Sequence, residues 1–78
     1  MELDAKLIGE TIQECRKKTG LSQEVLSGLA GLDRTHYSKI ERGERVPTIV
    51  TLFKLAHAMG VLPSDIMKAI ESKVGYSL

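Results

Sequence analysis

Apolar positions along the chain recur at intervals of three and four residues, the spacing of one side of an α-helix. Ile8, Ile12 and Cys15 fall at i, i+4 and i+7 in the segment Leu7 to Lys18, which closes on Lys17-Lys18-Thr19-Gly20, basic residues followed by a glycine stop. This predicts a first helix. Ser22 is placed to cap a short second one, whose apolar side is Val25, Leu26, Leu29 and Ala30 before Gly31. Asp33 can cap a third, Asp33 to Arg42, with Tyr37 and Ile40 as its apolar positions and Gly43 as its end. After a loop from Glu44 to Pro47, Thr48 caps a fourth helix in which Ile49, Leu52, Phe53, Ala56 and Met59 repeat until Gly60, the strongest periodic signal in the chain. Pro63 and Ser64-Asp65 begin a fifth, carrying Leu62, Ile66, Met67 and Ile70 and running to about Lys73; Val74 to Leu78 shows no pattern. No alternation long enough for a strand occurs. The expected fold is all-α with five helices.

At 78 residues with 42% apolar content the chain is expected to form a single domain, 1–78, with no large active-site cleft. Charged residues make up 27% and nearly cancel to a net +1, so affinity for nucleic acid must come from where charge is placed. One cysteine, Cys15, forms neither an internal disulfide nor a metal site, and on the inward stripe of the first helix it reads as a small apolar filler. The acidic start MELDAKLIGE differs from a signal peptide, and no apolar run is long enough to span a membrane; a cytoplasmic protein without membrane attachment is expected. No Ser-His-Asp set, carboxylate pair, phosphate loop or metal-ligand spacing can be assembled, so neither enzymatic activity nor a cofactor is expected, and His57 reads as an exposed or interface histidine.

Only Ala30-Gly31-Leu32 separates the second and third helices, and glycine there permits the sharp turn of a helix-turn-helix. A ten-residue third helix fits the major groove, where each base pair presents its own pattern of donors and acceptors. With Tyr37 and Ile40 inward, Arg34, Thr35, His36, Ser38, Lys39 and Arg42 point mostly outward, and all can hydrogen-bond. Arg34 and Lys39 suit guanine O6 and N7, Thr35 offers a hydroxyl or a methyl group, and His36 donates or accepts according to its tautomer; Lys39 could also turn to the DNA backbone.

From Ile8 to about Ile70 the chain resembles the Cro and C1 repressor class of helix-turn-helix domains, the Xre family. The resemblance rests on Leu21-Ser22-Gln23-Glu24 at the start of the second helix, Leu29-Ala30-Gly31-Leu32 at the turn, Ile40-Glu41-Arg42-Gly43 at the exit and the helix from Thr48 to Gly60. It implies a lambda-repressor-like fold that binds double-stranded DNA. It places Gln23 against the DNA backbone, with Ser22 as cap and backbone contact together, and runs the loop containing Arg45 and Thr48 along the sugar-phosphate chain, with Arg42 beside it. It also pairs Arg16 with Glu41 as a structural ion pair. Similar proteins include small phage repressors, restriction-modification controllers and antitoxins.

One such unit reads few base pairs, so a homodimer on a pseudo-palindromic operator is expected. Ile8, Ile12, Leu26, Leu29, Ile40, Leu52, Phe53 and Ala56 suffice for the monomer core, leaving Leu62, Ile66, Met67 and Ile70, with Val74, Tyr76 and Leu78, for a dimer surface in 62–78. The competing expectation is a protein-interaction module of the same fold, an antitoxin or adaptor holding a toxin or RNA polymerase.

Overall fold

The computed structural model describes residues 3–75, with helices α1 (Ala5–Thr19), α2 (Gln23–Ala30), α3 (Arg34–Glu41), α4 (Ile49–Met59) and α5 (Pro63–Val74), and no strand among the described residues. Side-chain caps fix four of the starts: Asp4, Ser22, Asp33 and Thr48 accept from the backbone N–H groups of Leu7, Val25, His36 and Thr51. Each satisfies a donor that the first helical turn leaves free. α5 starts on Leu62-Pro63 instead, and the Asp65 carboxylate accepts from the Leu62 N–H at 3.1 Å.

The core gathers Ile12 from α1, Leu26 and Ala30 from α2, Tyr37 and Ile40 from α3, Leu52, Leu55, Ala56 and Met59 from α4, and Ile66 and Ile70 from α5. α1 packs on α3 and α5, and α4 packs on α2 and α5. At the crossing of α1 and α3 the backbones nearly touch. Gly9 is buried there, and a Cβ built on it would lie 2.2 Å from the Ile40 carbonyl oxygen.

Two expected core positions lie outside it. Phe53 is 56% exposed and Leu29 63%, and Ile49, part of the periodic pattern of the fourth helix, is 66% exposed. α4 is apolar almost all round, so its sequence offers overlapping stripes. Packing against α2 and α5 selects the side with Leu52, Leu55, Ala56 and Met59, which turns Ile49 and Phe53 outward. In the eight-residue α2 only Leu26, Ser27 and Ala30 face inward, and Val25 and Leu29 fall on its flank.

The expected dimer surface on the fifth helix is corrected at two of its positions. Ile66 is fully buried and Ile70 nearly so, because α5 lays this stripe against α1 and α4, leaving neither side chain free for a partner. Leu62 and Met67 remain exposed. Val74 is half-buried against the core, and Tyr76 and Leu78 lie outside the described residues.

Candidate nucleic-acid interface

The link between α2 and α3 is tight because Gly31 adopts a left-handed conformation (φ 70°), which lets the Leu32 N–H reach back to the Ser27 carbonyl at 2.8 Å. Asp33 then caps α3 at once. α3 is anchored on one side by Tyr37, Ile40 and Glu41, all buried. The opposite side exposes Arg34, Thr35 and His36, with Ser38 and Lys39 half-buried and Arg42 exposed just beyond the helix.

Glu41 holds the anchor together. Its side chain is 1% exposed, and its two oxygens accept from donors on three helices. Arg16 of α1 donates from Nε to Oε2 at 2.7 Å and from Nη2 to Oε1 at 3.2 Å, and its Nη1 reaches the Leu21 carbonyl at 3.0 Å. Gln23 of α2 donates from Nε2 to Oε1 at 2.8 Å, and the Tyr37 hydroxyl donates to Oε2. Burial pushes the Glu41 carboxyl up, yet the hydrogen bonds from Arg16, Tyr37 and Gln23 outweigh it and hold it below the usual carboxylate range. Burial and the neighbouring carboxylate push the Tyr37 phenol up, keeping it a neutral donor. Neither Tyr37 nor Gln23 was expected at this carboxylate. The i, i+4 spacing of Tyr37 and Glu41 is a usable signal for the first, whereas Gln23 comes near only through the packing of α2 on α3.

Gln23, Arg34, Thr35, Ser38 and Arg42 line a shallow polar cleft of about 210 Å³ between the start of α2 and the outer side of α3. Arg42 is already engaged there, donating from Nη1 to Ser38 Oγ at 2.6 Å and from Nε to Glu44 at 2.5 Å. Arg42 holds the Glu44 carboxyl below its ordinary range. Arg45 and Thr48 are exposed on the loop leading to α4, and Ser22 is exposed at the start of α2. Of the expected contacts the cleft brings together Gln23, Arg34, Thr35, Ser38 and Arg42, whereas Ser22, His36, Lys39, Arg45 and Thr48 are not part of its lining. His57 is exposed on α4, and burial pushes the Cys15 thiol up, away from nucleophilic character. Among the described residues no group of His, Cys, Asp and Glu could hold a metal ion, and no single helix is long and apolar enough to cross a membrane.

The helix-turn-helix family profile matches residues 12–66, from the middle of α1 to the first turn of α5. The chain belongs to the helix-turn-helix family. This helix-turn-helix protein is 41% identical over 56 residues to an uncharacterized HTH-type transcriptional regulator, y4dJ, of Sinorhizobium fredii, covering 72% of this chain and 73% of the relative. It is 39% identical over 66 residues to the control protein C.MunI of a Mycoplasma species, covering 83% and 89%. Among solved structures it is similar to the restriction-modification controller protein C.AhdI of Aeromonas hydrophila, with a TM-score of 0.76 and 39% identity over 80% of this chain and 94% of that one.

Proposed function

We propose that the chain is a sequence-specific DNA-binding transcriptional regulator that acts as a homodimer on a two-fold operator, with α3 in the major groove. One observation carries this reading: α3 turns Arg34, Thr35, His36, Ser38 and Lys39 outward while Tyr37, Ile40 and Glu41 lock its other side to the body of a helix-turn-helix domain. A polar helix side that is rigidly held and free of core duties can present donors and acceptors to base edges at low ordering cost. Arg34, Thr35, His36, Ser38 and Lys39 are assigned to the bases. Ser22, Gln23, Arg42, Arg45 and Thr48 are assigned to the DNA backbone, where the free N–H groups at the start of α2 assist. Arg16 and Glu41 hold the reading head and do not contact DNA.

The names of the relatives point the same way, to regulators and restriction-modification control proteins, and the proposed role is repression or self-control of an operon in a bacterial or phage-infected cytoplasm. The protein is proposed to act without a cofactor and without catalysis. The test is selection of duplexes from a random pool, followed by fluorescence anisotropy across a salt series. A selected duplex is expected to bind with an affinity that falls steeply with salt, and Arg34→Ala is expected to remove the preference for it. Equal binding of all duplexes, unaffected by Arg34→Ala, overturns the reading.

A further inference from the structure

Thr11, Thr19, Ser27 and Ser72 each donate their hydroxyl proton to a backbone carbonyl three or four residues back, a common arrangement for Ser and Thr within helices. Ser38 departs from it. Its Oγ accepts from Arg42 Nη1 at 2.6 Å, and among the described residues its own proton is given to no acceptor. Arg42 is held in turn by Glu44, which accepts from Nε at 2.5 Å, so the guanidinium is fixed between two acceptors while Nη2 remains for a phosphate. Ser38 is half-buried in the polar cleft, and Arg34 and Arg42 stand one turn before and one turn after it on the same side of α3.

A serine hydroxyl has one proton to give and two lone pairs to receive with. With one lone pair committed to a cation, the proton turns away from Arg42, and the positive charge behind the oxygen strengthens its donation. A second donor approaching the same oxygen meets that charge and is disfavoured. We infer that Ser38 reads its base as a hydrogen-bond donor only, and that Arg42, besides any phosphate it meets, is the positioning residue that makes it so. The inference rests on the DNA-binding reading above and assigns a selectivity to one of its contacts. In the major groove the N7 of adenine and guanine, guanine O6 and thymine O4 all accept, whereas cytosine presents only its N4 amino donor. The base edge facing Ser38 is therefore selected against cytosine, and the flanking charges of Arg34 and Arg42 favour acceptors in the same direction.

The test uses the selected duplex with each position changed in turn to the other three bases, titrated by fluorescence anisotropy with the wild-type chain, Ser38→Ala, Arg42→Ala and the double variant, with circular dichroism to verify folding. The wild-type chain is expected to bind about fivefold to tenfold more weakly when one position of each half-site becomes cytosine, the loss of a single hydrogen bond against an unmatched donor. Ser38→Ala and Arg42→Ala should each abolish that discrimination at the same position, and the double variant should lose no more of it. Arg42→Ala should also weaken all duplexes by a common factor through the lost phosphate contact, so the position-specific part alone reports on Ser38. An Arg42→Ala protein that weakens every duplex alike yet keeps the discrimination that Ser38→Ala removes overturns the positioning role. A Ser38→Ala profile identical to wild type, or a wild-type preference for cytosine at the position it alters, overturns the donor assignment. Both outcomes spare the regulator reading, because the wild-type chain still prefers its operator. A wild-type chain that binds all duplexes equally overturns that reading, and this inference with it.

Discussion

Two glycine-to-alanine substitutions on neighbouring helices should have opposite effects. Gly9 and Gly28 both lie inside helices, in α1 and α2, and neither has a positive φ. In each case alanine improves helix propensity by about 1 kcal/mol. At Gly28 nothing lies within 4 Å of the added carbon, so the gain is realised. At Gly9 the same carbon would sit 2.2 Å from the Ile40 carbonyl oxygen and 2.7 Å from that of Glu41, both backbone atoms of α3. Neither atom can rotate away as a side chain would, so α1 and α3 must separate by about 1 Å at a packed contact, at a cost of about 3 kcal/mol or more. The net effect is about 2 kcal/mol of destabilisation for Gly9→Ala against up to about 1 kcal/mol of stabilisation for Gly28→Ala. For a domain of this size each kcal/mol moves Tm by about 4–8 °C. Urea and thermal unfolding followed by circular dichroism should therefore show Gly9→Ala falling by about 10 °C and Gly28→Ala rising by a few degrees. Because the displaced element is α3, Gly9→Ala should also weaken operator binding at temperatures where it remains folded. A Gly9→Ala protein as stable as Gly28→Ala would show that α1 and α3 do not cross backbone to backbone.

Arg16→Ala strips the cation from a buried carboxylate and should cost about 3 kcal/mol in urea unfolding at neutral pH; a loss below about 1 kcal/mol would mean that Glu41 is reached by water. Since the folded chain holds the Glu41 carboxyl below its usual range, its contribution is fully present above the ordinary carboxylate pKa of about 4.3 and declines as pH falls through and below that value. Glu41→Gln should accordingly flatten the acid limb of the stability profile, and an unchanged limb would assign it to other groups. Thr35→Ala should alter base preference at particular operator positions, whereas Arg45→Ala should weaken all sequences alike and lower the salt slope by about one; binding profiles over a randomised operator library distinguish the two. Glu44→Gln frees Arg42 for a phosphate and should tighten binding and steepen its salt dependence, an effect that should vanish when Arg42 is also replaced by Ala. A gain that persists without Arg42 would instead reflect only the lost negative charge.

The helices were legible because their signals are local. Ser22, Asp33 and Thr48 cap the turns they precede, and glycines stand where α1, α2 and α4 end. The outward set on α3 was legible for the same reason, since Tyr37 and Ile40 fix the inward direction of an eight-residue helix and the remaining positions follow from its period. The α2–α3 motif likewise depends on a short stretch of chain around Gly31, and its residues carry the family resemblance.

Tertiary packing decided what periodicity leaves degenerate. Where a helix is apolar on several sides, as α4 is, the sequence does not say which stripe its neighbours cover, and so Phe53 and Ile49 emerge outside while Leu55 goes in. Where two apolar surfaces compete, as on α5, only the positions of α1 and α4 show that Ile66 and Ile70 belong to the core. The meeting of Gln23 with Glu41 and the backbone contact at Gly9 join residues far apart in the chain, at sites where no local propensity records the partner. Local physics thus set the elements and the polar side of α3, while the division of apolar residues between core and surface followed from which helices pack together.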